Sequence, residues 1–375
     1  MRSRPLVAAL SAAAAVVSSV LLAAPASAAP VAASCGDVVT TDAYLDADAT
    51  CAGVGITLVG DVTLDLRGHT LDGGGSGTGL LVTLGGTQAV VDGTVSGWTT
   101  AVDAVIPPDP EGEGFVGDFS FDGVVFTGNG EVTDLGVDSL FGRHRADFRY
   151  SGARFEDNAL VFGGLFGGGG FVVDSEFLRN GTVVSIDTAG VVIERSRLEG
   201  NDVVAGDLTE SGLTVRDSVL VDNRVIDTGG HFMGYLDLEG NEISGSDAVV
   251  ATTATSYVRA VDNVIVDNDV ALDLGEASGY VSGNTFERNR VAFTSTGPLE
   301  GWGGTMTVEG NTFVGNRDAI VTAGVGTEVG GNTAHHNTGR GIYAPGVTDL
   351  GGNRAWANGV YPQCVGVVCA GKPRS

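Results

Sequence analysis

Basic side chains are scarce in this chain. Lys and Arg together number 20 of 375 residues, against 46 Asp and Glu, for a formal net charge of −26. Nucleic-acid binders need cations to displace condensed counterions, so that class is excluded. Anionic membranes and naked polyanions are disfavoured for the same reason. Proline is also scarce, at 10, while glycine is abundant, at 60. Without a three-residue Gly period this is not collagen, and 43% hydrophobic residues argue against disorder. Beyond residue 28 no stretch is apolar enough to span a bilayer. Cysteine is limited to four residues.

The first 28 residues read as a secretory signal. Arg2 and Arg4 precede an apolar run from Leu6 to Ala24, and Ala26-Ser27-Ala28 supplies the small residues of a cleavage site. Cleavage removes two cations and leaves 46 acidic against 18 basic groups, a net charge of −28. The mature chain is therefore expected to be exported, extracellular and free of the membrane.

The cysteines fall into two local pairs, Cys35 with Cys51 and Cys364 with Cys369. Four cysteines allow three connectivities. Local pairing is the simplest, and export permits it. A fifteen-residue loop between Cys35 and Cys51 would add about 3 kcal/mol in the chain-entropy model. A metal site is the rival reading, but clustered His partners and paired C-x-x-C spacing are missing.

What fills the middle is a repeat. Asn recurs at Asn129, Asn158, Asn180, Asn201, Asn223, Asn268, Asn289, Asn316, Asn337 and Asn358, with Ser246 in the one vacant slot. Most gaps are 21 to 23 residues, and two are 27 and 29. Three residues before each stands an apolar side chain, such as Phe155, Phe177, Leu198 or Ile265. Two residues earlier is a small polar slot, from Ser175 to Asn353. A fixed period of this kind signals a solenoid. The apolar residues within each unit alternate, as in Val281-Ser282-Gly283-Asn284-Thr285-Phe286, and Val, Ile, Thr and Phe dominate. That is strand chemistry. About 22 residues make one coil of short strands, each pairing in parallel with the next coil. The Asn side chains should stack from coil to coil and satisfy turn backbone groups. Outward slots reading Arg154, Glu176, Arg197 and Glu194, Arg216, Glu239 should form charge ladders of little energy.

At this point the chain resembles the right-handed parallel β-helix proteins of the pectate-lyase-like superfamily. The stretch from Cys35-Gly36-Asp37-Val38-Val39-Thr40 through Cys51 to Asp65-Leu66-Arg67-Gly68-His69-Thr70-Leu71 is similar to the opening of exported bacterial members. Gln363-Cys364-Val365-Gly366-Val367-Val368-Cys369 is similar to their ending. The resemblance implies an all-β right-handed solenoid. The expected organisation is a signal over 1–28, a cap over 29–60, the β-helix over 61–360 and a disulfide-bearing tail over 361–375. Closed ends suggest a monomer. The superfamily contains lyases, hydrolases, epimerases and non-catalytic binders. The Asp-Asp pair and Gly-His-Gly of its polygalacturonases are absent, since Gly68-His69 precedes Thr70 and Gly230-His231 precedes Phe232.

Three long intervals interrupt the period, before Phe119, Phe148 and Met306. The first holds Asp109 and Glu111, and the second Arg143-His144-Arg145, so adjacent coils could join a carboxylate to an Arg or His as an acid/base arrangement. The third holds Glu300 and Trp302, where the indole could stack on a sugar. It lies seven coils away, about 34 Å at a strand spacing of about 4.8 Å. His335 and His336 point to opposite faces if extended, and are poor joint metal ligands on that basis. His69 and His231 are isolated. Asp267-Asn268-Asp269 invites calcium, yet Asn268 belongs to the repeat. No metal or cofactor is expected, save calcium bridging an acidic substrate. Two readings follow. The first is an exported protein that binds polysaccharide without chemistry. The second is a polysaccharide lyase or glycoside hydrolase with its site near Arg143–Arg145.

Overall fold

The computed structural model of the chain describes residues 29–107, 114–134, 144–164, 168–227, 233–251, 256–298 and 304–372. Residues 1–28, expected to be a secretory signal, and Asp109, Glu111, Arg143, His231, Glu300 and Trp302 lie outside the described residues. Among those described, every regular element is a strand, and every strand pairing is parallel. No helix there is long and apolar enough to cross a membrane.

Each coil contributes three strands. One is a long strand such as Gly190–Glu194, the next a short strand such as Arg197–Glu199, and the third a strand such as Val203–Thr209 on the opposite side. The opposite strands stack into one 15-stranded sheet. The long and short columns are counted as one 28-stranded sheet, because Thr87–Ser96 and Val116–Thr127 run through the corner between them. The coil is about 22 residues, as the repeat requires.

Both corners that flank the short strand use a left-handed residue. The first is Asp174, Arg195, Asp217, Gly240 or Asp262 in successive coils, and the second is Arg179, Gly200, Asp222, Gly245 or Asp267. One such residue turns the chain sharply without consuming length. A non-glycine residue there costs about 1–2 kcal/mol. Arg179, Arg195 and Arg288 each bridge back to an Asp at the equivalent corner one coil earlier: Asp157, Asp174 and Asp267.

The residue after each corner points inward, and there the two polar columns form. In the principal one, the Asn158 Nδ2 donates to Asn180 Oδ1 at 3.0 Å and to the Phe126 carbonyl at 3.0 Å, while its backbone N–H donates to the same Oδ1 at 3.1 Å. Asn180, Asn201, Asn268, Asn289, Asn316 and Asn337 repeat this pattern. Each amide thereby satisfies backbone groups that burial would otherwise leave unpaired. Trp98 occupies the slot one coil before Asn129, and its backbone N–H donates to Asn129 Oδ1. Gln363 closes the other end by accepting from the Asn358 backbone and side chain, both at 2.8 Å. The small polar slot makes a second column, in which Ser175, Ser196 and Ser218 pass into Asn241, Asn263 and Asn284.

Apolar residues fill the space between the sheets. Phe126, Phe155 and Phe177 stack at 5.5 and 4.7 Å, and Phe286 on Phe313 at 4.7 Å. The predicted charge ladders are present in Arg154–Glu176 at 3.4 Å and Arg216–Glu194 at 2.8 Å. Arg197 pairs along its own strand with Glu199 instead. The cysteines are joined as Cys35–Cys51 and Cys364–Cys369, with Cα separations of 5.4 and 6.2 Å.

Candidate functional site

The outer face of the long column carries the chemistry. Strand register places Asp147, Gly169, Gly190, Gly212, Tyr235 and Tyr257 in one outward row. The adjacent outward row reads Arg149, Phe171, Val192, Thr214, Asp237, Arg259 and Tyr280. Gly169 and Gly190, with Gly168 and Gly170 beside them, leave a trough of about 360 Å³, lined also by Arg145, Asp147, Arg149, Phe171 and Val192. A Cβ added to Gly190 would meet nothing within 4 Å. Packing therefore does not demand glycine there, and its effect is to keep the floor clear.

Groups of mixed character surround this floor. The Arg149 guanidinium lies 6.0 Å from the Phe171 ring. Arg145 bridges Asp147 at 2.8 Å. At the other end, Tyr235 and Tyr257 stack with centroids 5.5 Å apart and planes at 10°. Tyr257 is 41% exposed, so one aromatic ring is open to a ligand. Arg259 bridges both Asp237 and Glu239 at 2.7 Å, and its hydrogen bond holds the Glu239 carboxyl below the usual range. The Tyr280 hydroxyl donates to Glu309 Oε1 at 2.5 Å. Burial, then Asp237, pushes the Tyr235 hydroxyl up to about 12, and the bond to Glu309 raises Tyr280. Both phenols thus stay protonated at neutral pH and serve as donors rather than bases.

The described flanks of the three long intervals fall at one edge of this face. All three long intervals join a strand of the opposite sheet to the next long strand, preceding Val116–Thr127, Arg145–Ser151 and Met306–Glu309. His144 accepts the Phe115 N–H on Nδ1 at 3.0 Å and stacks on the Phe115 ring at 5.9 Å. It thereby ties two neighbouring coils together. Arg145 lies on the trough, while its fellow candidate Arg143 and the carboxylates expected to meet them, Asp109 and Glu111, lie outside the described residues. Asp267 and Asp269, considered for calcium, are each taken by an arginine, Arg288 and Arg290.

Sequence reasoning missed Tyr235, Tyr257, Asp237, Arg259 and Tyr280. Their signal was their spacing, one coil apart in the outward slots next to the predicted charge ladder. It also missed Glu131 on the opposite sheet. Burial, then the neighbouring Asp134 and Asp103, raises its carboxyl to about 7. Its Oε1 sits where a Gly163 side chain would stand.

Comparison with known proteins finds only distant similarities. A family model described as "Periplasmic copper-binding protein (NosD)" matches residues 234–371. Among solved structures, the Dettilon tailspike protein (gp208) is similar at 13% identity and a TM-score of 0.32, over 81% of this chain and 62% of that one. The chain thus spans less than two thirds of the tailspike's length. The periplasmic alginate epimerase AlgG is similar at 12% identity and a TM-score of 0.23, over 86% of this chain and 76% of that one. A point mutant of that epimerase gives 13% and 0.27 over the same shares. No curated protein matches. The chain is a right-handed parallel β-helix protein. The matched family is periplasmic by its description, and two disulfides accord with export of this β-helix protein.

The same family description names copper. Among the described residues no group of three or more His, Cys, Asp and Glu is placed to hold a metal ion. His335 and His336, expected to point to opposite faces, instead face one another because His336 takes a left-handed φ of 55°, and a hydrogen bond joins their Nδ1 atoms at 2.8 Å.

Proposed function

We propose that this exported β-helix protein is a monomer that binds a linear polysaccharide along the outer face of its long strands. The glycine-floored trough, with an open tyrosine ring three coils further along the same row, carries the reading. Sugars present apolar ring faces and a rim of hydroxyls, and this surface offers both complements. Phe171, Val192 and the Tyr235–Tyr257 stack supply apolar faces. Arg145, Asp147, Asp237, Arg259 and the protonated Tyr280 supply hydrogen bonds. From Arg149 to Tyr280 the row climbs six coils, about 29 Å at a strand spacing of about 4.8 Å. That is room for several sugars in line. The net charge of −28 favours a neutral or weakly acidic chain, and the nearby arginines favour an acidic one only with calcium to bridge it.

Absence of chemistry is the simpler reading of this face. Arg145 and Arg259 are neutralised by carboxylates, and the phenols hold their protons. A panel of neutral and uronate polysaccharides, with and without Ca²⁺, tests both binding and product release. Binding without new ends supports the proposal. Release of products that disappears in His144→Ala would replace it with a lyase or hydrolase centred on the second insertion. No binding to any member would remove the polysaccharide reading altogether.

A further inference from the structure

The two ends of the described solenoid are stepped, and in opposite senses. At the start, the chain passes from Val31–Ala32 on the long column to Asp37–Val39 on the opposite sheet with no short strand between them. The short column begins one coil later, at Ala49–Thr50. At the finish, the last long strand is Thr348–Gly351, and Cys364–Val365 on the opposite sheet leads straight to Cys369–Ala370 on the short column. The first coil therefore lacks a short strand, and the last lacks a long one. Among the described residues, each of these six strands pairs on one side only.

Placed in line on one axis, two copies fill every level once. Val31–Ala32 of the following copy meets Thr348–Gly351, Asp37–Val39 meets Cys364–Val365, and Ala49–Thr50 meets Cys369–Ala370. Unpaired strand edges are templates for another chain, and natural proteins blunt them with charge. Here the charge at the two edges has opposite sign. Residues 29–50 carry Asp37, Asp42, Asp46 and Asp48 and no Lys or Arg. Residues 340–372 carry Arg340, Arg354 and Lys372 against Asp349 alone. Asp46 and Asp48 are exposed on the ledge where the first coil has no short strand, and Lys372 is exposed just beyond the last short strand. Apolar side chains are exposed at both ends as well, Val31 and Val38 at one, Leu350 and Val368 at the other. In physiological salt the screening length is about 8 Å, so charges at a joint count for more than the net repulsion of two acidic bodies.

We propose that successive copies of this chain dock head to tail, the acidic first coil of one on the basic last coil of another. Such a heterologous contact does not close on itself, so it builds linear arrays rather than a fixed oligomer. Each strand edge is only two to four residues long, and small interfaces are weak and transient. The dilute chain therefore stays a monomer, and docking belongs to crowded copies. It stands or falls independently of polysaccharide binding.

The test is sedimentation velocity of the chain from residue 29 onward, in physiological salt and without sugar, over a concentration series. The average mass should climb with concentration and show no plateau at the dimer. Two variants each reverse one end: Arg354→Glu with Lys372→Glu, and Val38→Lys with Asp46→Lys and Asp48→Lys. Each variant alone should need at least roughly tenfold more protein to associate, because like charges then meet at the joint. An equimolar mixture of the two should regain the association of the wild type, since every joint between unlike copies again pairs opposite charges. Circular dichroism of each variant separates loss of docking from loss of fold. A wild-type mass that stays constant up to the solubility limit would overturn the proposal. So would association that both folded variants leave unchanged, or a mixture no better than either variant alone.

Discussion

Ser246 offers the sharpest perturbation of the fold. It occupies the slot where the coils on either side carry Asn223 and Asn268, and its buried Oγ has no hydrogen-bond partner. Its backbone N–H still donates to Asn268 Oδ1 at 2.9 Å, so the column continues below it. Above it, Asn223 Nδ2 donates to the Leu198 carbonyl at 2.9 Å but faces a serine where Asn201 faces an amide. In Ser246→Asn the new Nδ2 would donate to the Leu220 carbonyl, by the pattern in which Asn268 reaches Ile243. Its Oδ1 would accept from the Asn223 backbone and side chain. Each such bond contributes about 1 kcal/mol net. Ordering the longer side chain offsets part of this, by about 1 kcal/mol. The expected gain is about 1–2 kcal/mol. Urea unfolding, read at two probes to test for a single transition, should show a higher midpoint with unchanged slope. Asn201→Ala is the mirror experiment, and should lose about 2–4 kcal/mol by stranding buried donors. A Ser246→Asn variant that is less stable than wild type would refute the equivalence of the slots.

Three further outcomes follow from the same geometry. Gly190→Phe should fill the trough and weaken polysaccharide binding by roughly tenfold or more, while thermal stability changes by less than about 1 kcal/mol, as for other uncrowded surface sites; calorimetry on both properties checks it. Glu131 is raised on folding, from 4.5 to about 7, so the unfolded state releases this proton first and stability falls as pH rises from about 4.5 to about 7. The full linkage is on the order of 3 kcal/mol, and partial exposure reduces it to about 1–2 kcal/mol. Glu131→Gln should therefore flatten the melting temperature across that window and raise it at pH 8. Phe155→Ala removes the centre of the stack between Phe126 and Phe177, and should cost about 3–5 kcal/mol by urea unfolding.

The solenoid was legible because its rules are local and repeated. An Asn every 21 to 23 residues, with a Phe or Ile three before it, fixes period, register and inward face at once. The corners were not legible, because the left-handed residue is Gly in one coil and Asp, Arg or His in the next. Only the pairing of Arg179 with Asp157 or Arg288 with Asp267 betrays the shared position. That same corner brought His335 and His336 together against the expectation from extended backbone. Insertions drew attention to Arg143, His144 and Arg145. The trough beside Arg145 is instead created by an absence, the missing side chains of Gly169 and Gly190, which composition cannot distinguish from turn glycines. Tyr235 and Tyr257 meet because they are one coil apart on neighbouring long strands, a relation visible only once the register is known.

A crystal soaked with an oligosaccharide drawn from the binding panel would test the central claim most directly. The account predicts sugar density running along the solenoid axis over Gly169, Gly190 and Gly212, with one ring against Tyr257. Density seated on the opposite sheet, or confined to the insertion edge without touching the glycine floor, would contradict it.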